Sequence, residues 1–227
     1  LTNNLFWDDD EWIKGNVFVH SFSYLKEIFT QNVEAGFGLQ SNYYRPMLLL
    51  SFIFNYIVHG IQPFGYHLVN NGFHIANGIL IFVLLAKFLN RRASFIASLL
   101  FLIHPVQTEA VAYISGRGDP MSVFFMLLAL LLFAKYIRQG SDFYAISRKW
   151  EFFSAMIFFI LGILSRETAI LFPLFLMIFY ISFLSKEKFI ASVKKSFIIS
   201  SPFWAVSIIY FILRLTVFNF QNTLNFF

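Results

Sequence analysis

Apolar runs separated by short polar clusters dominate the chain, at 79–86, 93–103, 121–134, 152–164, 169–184 and 197–213. A helix of ~20 residues covers the ~30 Å hydrocarbon core of a bilayer. Extended by their flanking turns, the runs predict spans at about 63–88, 93–115, 120–137, 150–165, 168–184 and 197–215. The stretch 46–59 breaks the series, because it gives only ~21 Å of helix. Its polar positions Ser51, Asn55 and His59 step by four into one stripe. The pattern predicts an interfacial or re-entrant helix there, opened by Arg45-Pro46. The expected fold is all-α, a polytopic transmembrane helical bundle (63–227) behind a first external loop (1–62) that carries interfacial helices.

Composition agrees with that class. Hydrophobic residues make up 58% and charged residues 13%, against about 25% charged in a soluble domain, and the mean hydropathy is +0.68. The net charge of +5 sits in loop clusters that orient spans, with no basic stripe of the kind nucleic acid requires. The absence of cysteine excludes disulfides and thiolate-held metals. No Asp or His cluster has firm metal-ligand spacing, so neither a metal nor another cofactor is expected. The chain begins at Leu1 without Met and stops in "NTLNFF", as a fragment lacking both ends would.

The bases orient the spans. Lys87, Arg91 and Arg92 form one cluster, Lys135, Arg138, Arg148 and Lys149 a second, and Lys186, Lys188, Lys194 and Lys195 a third. Paired spans between them read as hairpins that return each cluster to the cytoplasmic face. The tips "GRGD" and "SRETA" then face outward, together with Asp8, Asp9 and Asp10. Of the 12 acids, only Asp142, Glu151 and Glu187 fall inside, and acids contribute little to orientation. Their concentration outside needs another cause.

"HPVQTEAVAYISGRGDP" (104–120) places ionisable groups against a span. The run 93–103 gives only ~16 Å of helix, so the span must continue through Pro105, kinked, to about Tyr113. His104, Gln107, Thr108 and Glu109 are thereby buried in the outer half of the bilayer, where polar groups either pair with one another or line a cavity. Asp119 before Pro120 is shaped as a helix N-cap. Arg117, between Gly116 and Gly118, offers a planar fork suited to a phosphate. Asp119 either caps the helix or orients Arg117. Arg166 and Glu167 form either a mutual ion pair or, with Arg166, a second phosphate contact. Arg45 belongs with them, or else snorkels to headgroups. The stripe His67, Asn70, Asn71, His74 and Asn77 reads as helix packing. Asp8, Asp9, Asp10 and Glu11 follow Phe6-Trp7 and precede Trp12; the aromatics would anchor this loop at the membrane interface. The acids are either a solvated run or helix N-terminal acids, or they supply a base.

In their order along the chain, "NNLFWDDDEWIKGN", "YYRPMLLLSFIFNY", "GYHLVN", "HPVQTEAVAYISGRGD" and "SRETA" resemble the membrane domain of O-mannosyltransferase-type proteins with carboxy-terminal tetratricopeptide repeats. Those proteins are GT-C glycosyltransferases. The resemblance covers nearly all of 3–184, with Gln107 standing where the family pattern has His and Arg166 where it has Lys. It implies an integral, multi-pass membrane enzyme, in the plasma membrane if the source is bacterial, with its active site on the external face. It would transfer a hexose, mannose first, from a polyprenyl-phosphate-linked donor to a protein Ser/Thr or glycan hydroxyl, with inversion. Asp8 and Asp9 match the acids that deprotonate the acceptor, Asp9 being the weaker choice. Arg117, Arg166 and Arg45 would hold the donor phosphate, and His104, Glu109, Asp119 and Glu167 would support the cavity. A lipid or cell-wall glycan as acceptor, a transporter path through His104 and Glu109, and a non-catalytic scaffold stand as alternatives.

Overall fold

The computed structural model describes residues 8–138 and 146–218; the side chains of Asp8 and of 146–148 lie outside that description. Ten α-helices are found there: α1 (Asp8–Asp10), α2 (Leu25–Thr30), α3 (Pro46–His59), α4 (Pro63–Leu85), α5 (Arg91–Ile103), α6 (Thr108–Ala112), α7 (Gly118–Arg138), α8 (Ile146–Ser165), α9 (Phe172–Phe179) and α10 (Phe189–Thr216). Short 3-10 and π turns join them, and no strand occurs among the described residues. Four stretches are long and apolar enough to cross a membrane: Pro63–Leu85, Ser115–Arg138, Glu167–Leu184 and Phe189–Thr216. A fifth is added if the bent pair Arg91–Ile103 and Pro105–Ala112 is one span. The fold is an all-α polytopic helical bundle.

The α3 helix runs where its pattern places it. Pro46 opens it without wasting a backbone donor, and Gly60, at φ 55, ends it in a conformation that penalises a side chain. Leu48, Phe52, Ile53 and Asn55 point inward, whereas Val58 is 73% exposed on the other side. The next helix starts after a tight turn. A Cβ on Gly65 would stand 2.2 Å from the His59 ring, so α3 and α4 can close on each other only with glycine there.

The expected span 93–115 is not one helix. It breaks at His104, and the two parts meet at 49°. The cause is local: a residue before proline is pushed out of the helical region, and His104 adopts φ −67, ψ 129. Its ring then caps the following turn, Nδ1 accepting from the Val106 amide at 3.2 Å. The chain is extended again at Tyr113. Beyond it, a 3-10 turn (Ser115–Arg117) leads into α7.

One buried core joins Trp12, Ile13, Phe18 and Val19 of the amino-terminal segment to Leu48, Phe52, Tyr66, Ile114 and Met121. Trp12 is therefore a core residue, edge-on to Phe52 at 6.5 Å, with its ring turned into the protein. Phe6 and Trp7 lie outside the described residues. A second core is built from phenylalanines: Phe203 packs edge-on to Phe133 at 5.5 Å and against Phe159 at 5.6 Å. The tips of the two hairpins touch. A Cβ on Gly118 would lie 3.0 Å from the Ser165 carbonyl oxygen, so GRGD and SRETA close together at one end of the bundle. At the other end Lys135 pairs with Glu151 at 2.6 Å and Lys195 with Glu187 at 2.7 Å.

Candidate functional site

Three segments converge beneath the GRGD tip. Arg117 is fully buried, the largest such side chain among the described residues. Its Nε donates to Asn70 Oδ1 at 2.7 Å and its Nη2 to the Tyr66 carbonyl at 3.1 Å. Nη1 donates to Asn55 Oδ1 at 2.6 Å and to Ser51, at its hydroxyl and its carbonyl, at 3.2 Å each. The guanidinium lies over the Phe52 ring at 4.7 Å. All three nitrogens are thus occupied by protein acceptors. The expectation that Arg117 grips a donor phosphate is corrected by this geometry: the side chain turns into the bundle and ties α3, α4 and α7 together. The polar stripe of α3 is explained as well, since Ser51 and Asn55, four residues apart, are two of the acceptors.

Asp9 is 1% exposed. Its carboxylate accepts from the Ser115 amide at 2.9 Å and the Ile114 amide at 3.3 Å. These are unpaired donors at the start of the turn that leads into α7, where a negative charge is favoured. Asp119 is already inside α7 and does not cap it; the cap comes from more than a hundred residues earlier in the chain. Nor does Asp119 orient Arg117. It pairs with Arg166 at 2.6 Å.

Beside Ser115 and Gly116 opens a cavity of about 450 Å³, lined also by Trp12, Tyr43, Arg45, Glu109, Tyr113, Asp119 and Arg166 among others. Arg45 lies over the Tyr43 ring at 4.4 Å and pairs with Glu167 at 2.9 Å. The Glu167 carboxylate also accepts from the Tyr44 amide at 3.2 Å. Arg166 and Glu167 therefore do not pair with each other; each holds a partner from a distant segment. The Glu109 side chain makes no hydrogen bond or ion pair among the described residues and faces the same space. Arg45, Arg166, Glu109 and Asp119 are brought to one cavity, with Glu167 behind Arg45. Arg117 and Asp9 do not line it; both are buried in the packing next to it. His104 stands on the other side of α6, and the Asp8 side chain lies outside the description. Among the described residues, no three His, Asp or Glu side chains are placed to hold a metal ion.

Asn70 and Asn77 were not distinguishable by pattern from the rest of their stripe. Asn70 Nδ2 donates to the Tyr113 carbonyl and Asn77 Nδ2 to the Pro120 carbonyl, both at 2.8 Å. Asn70 thereby satisfies a carbonyl at the extended break, and Asn77 ties α4 to the first turn of α7.

The cap has a measurable value. Asp9→Asn keeps the shape but weakens a charge-assisted contact to two amides, so unfolding should be easier by about 1–2 kcal/mol. Asp10 pairs with Lys14 at 2.7 Å, both side chains about half exposed. Asp10→Asn should accordingly shift stability by no more than a few tenths of a kcal/mol. Thermal unfolding of both variants in one detergent checks the contrast, and equal midpoints would remove the cap.

An all-α membrane bundle with a charged cavity at the junction of its hairpin tips is the class the geometry defines. The mouse "Protein O-mannosyl-transferase TMTC3" is 36% identical over 148 residues, which cover 62% of this chain and 16% of that protein. The human "Protein O-mannosyl-transferase TMTC1" is 35% identical over 142 residues, 60% of this chain and 16% of that protein. The Xenopus laevis "Protein O-mannosyl-transferase tmtc2" reaches 45% over 94 residues, 41% and 11% of the two chains. The chain is thus similar over part of its length to these protein O-mannosyl-transferases and spans about one-sixth of the length of the first two. No protein-family model matches it, and no solved structure matches it significantly.

Proposed function

We propose that the chain forms part of the membrane domain of a GT-C-type glycosyltransferase, which moves mannose from a polyprenyl-phosphate donor to a hydroxyl on protein. The observation that carries this is the meeting of Arg45 and Arg166 in one cavity at the hairpin tips. These residues are separated by most of the chain, yet both guanidiniums border the same space. The names of the relatives supply the sugar and the acceptor class. The lipid tail would lie in the bilayer and the phosphate between the two arginines, on the external face.

Each arginine is held by a carboxylate, Arg166 by Asp119 and Arg45 by Glu167. A phosphate offers the same fork geometry with more charge, so it displaces these partners and the arginines stabilise the charge that grows on the leaving group. The acceptor oxygen forms a bond to the anomeric carbon as the bond to the phosphate oxygen breaks. The electron pair leaves with the phosphate, and the hydroxyl proton passes to a carboxylate. One displacement inverts the anomeric centre.

Two carboxylates compete for that proton. Asp9 is committed to the Ile114 and Ser115 amides, which leaves Asp8 as the member of the acidic pair to act. Glu109 is the second reading, favoured by its unpaired side chain in the cavity itself. A protein acceptor is preferred over a lipid or wall glycan on the relatives' names alone.

The arginines provide the test. In the full-length protein, supplied with polyprenyl-phosphate mannose and an acceptor peptide, Arg45→Ala and Arg166→Ala should each lower transfer by about 10²-fold, as the loss of one preorganised donor does. Arg166→Lys, which keeps the charge but not the fork, should retain part of it. Wild-type rates in both alanine variants would place the phosphate elsewhere.

A further inference from the structure

A second cavity, of about 340 Å³, lies on the opposite side of α6. The two faces of this short helix serve different spaces. Glu109, Ala110 and Tyr113 border the charged cavity, whereas Thr108, Val111 and Ala112 border the second. The break at His104 creates it. Where α5 ends, the Leu102 carbonyl loses its helical partner and meets the His74 ring at 3.0 Å.

Its chemistry is unlike that of the first cavity. His67, Asn71, His104, Gln107 and Thr108 contribute imidazole, amide and hydroxyl groups, and no Lys, Arg, Asp or Glu lines it. The side chains of Gln107 and Thr108 make no hydrogen bond among the described residues. Asn71 uses its amide nitrogen on the His67 carbonyl at 2.8 Å. His104 uses only Nδ1, on Val106. Leu102, Ile103, Val111 and Ala112 supply its apolar lining, and Ile103 is 65% exposed. His67 and His74 lie about 6 and 16 Å along α4 from its start, so the space extends for about two turns along that apolar helix.

A phosphate or carboxylate would meet no Lys or Arg here, and an ammonium no Asp or Glu, so charged headgroups are disfavoured by desolvation. Hydroxyls, which both donate and accept, suit amide, imidazole and threonine partners, and the volume falls in the ~300–1,000 Å³ range of ligand sites. We infer that this cavity binds the uncharged, hydroxyl-rich headgroup of a membrane glycolipid, whose acyl chains lie along the exposed faces of α4 and α5. The site is separate from the donor site, because a polyprenyl-phosphate sugar carries a charge for which this cavity offers no Lys or Arg, whereas the other cavity offers two arginines.

Photolabelling tests the inference. The full-length protein is placed in phosphatidylcholine nanodiscs containing a monogalactosyl diacylglycerol with a diazirine on the sugar, and the labelled peptides are mapped by mass spectrometry. Label should concentrate in 67–74 and 102–112, well above that from a phosphatidylcholine carrying the diazirine on its headgroup. The double variant Gln107→Leu, Thr108→Val, with an unchanged unfolding midpoint, should lose about tenfold in labelling, as two hydrogen bonds are removed. Arg166→Ala should label as the parent does, so the transferase reading can fail without this one. Equal labelling by the two lipids, or wild-type labelling of the double variant, would leave only a lipid-filled gap. Full protection by dissolved methyl galactoside would make it a site for soluble sugar and sink the glycolipid assignment.

Discussion

Replacing Arg117 should unfold this protein before it touches any chemistry. Arg117→Met removes a fully buried cation and leaves the Asn55 and Asn70 side chains and the Ser51 and Tyr66 carbonyls without their donor. Breaking one side of such a network costs about 3–5 kcal/mol, a large part of the 5–15 kcal/mol that keeps a domain folded. Arg117→Lys should rescue little. An ammonium has three donors at one point, whereas the acceptors surround a planar fork and come from α3 on one side and α4 on the other. The measurement is the yield of monodisperse protein after detergent extraction, together with its thermal midpoint. Both variants should fall far below the parent, with transfer lost in proportion to folded protein. A well-folded Arg117→Lys that had lost only donor use would return Arg117 to the phosphate.

The second large effect concerns the proton. A catalytic base contributes typically 10²–10⁴-fold to rate, so Asp8→Asn and Glu109→Gln separate the two candidates. On the proposed reading, Asp8→Asn abolishes transfer while Glu109→Gln reduces it only modestly; the reverse result would assign the proton to Glu109. Asp9→Asn needs both readouts, because its carboxylate holds the Ile114 and Ser115 amides and its loss of activity would follow its loss of stability. Asp10→Asn, whose partner Lys14 is exposed, should transfer sugar at the parent rate. If all four variants did so, the acids around the cavity would be structural and the transferase reading would lose its base.

An arginine flanked by glycines in a loop reads as an anion site, because exposed loops carry binding groups. Nothing in the chain near Arg117 shows that its acceptors lie 47–66 residues earlier. The only local sign was on the other side of the interaction: Ser51 and Asn55 made a polar stripe on a helix otherwise apolar. A stripe of that kind on a short helix names a buried partner as readily as a water-facing surface.

The ion pairs follow the same rule. Arg166 and Glu167 are neighbours in sequence, yet adjacent residues entering a 3-10 turn point apart. Glu167 reaches Arg45 and Arg166 reaches Asp119, because the contact of Gly118 with the Ser165 carbonyl brings the two tips together.

What the sequence determines by itself is what depends on neighbours a few residues away. Apolar runs of span length, the proline start of α3, the glycine at its end and the proline that breaks the chain after His104 act through local sterics and transfer to lipid. The helix Pro46–His59 and the class of the fold are legible for that reason. Tertiary structure alone decides which way each polar side chain turns. Asp9 becomes a cap because a turn over a hundred residues away presents two open amides, and Arg117 becomes a brace because α3 and α4 present oxygens at fork spacing. Polar atoms inside a membrane bundle must find partners wherever the packing puts them, and that position depends on contacts between helices, which no local pattern contains.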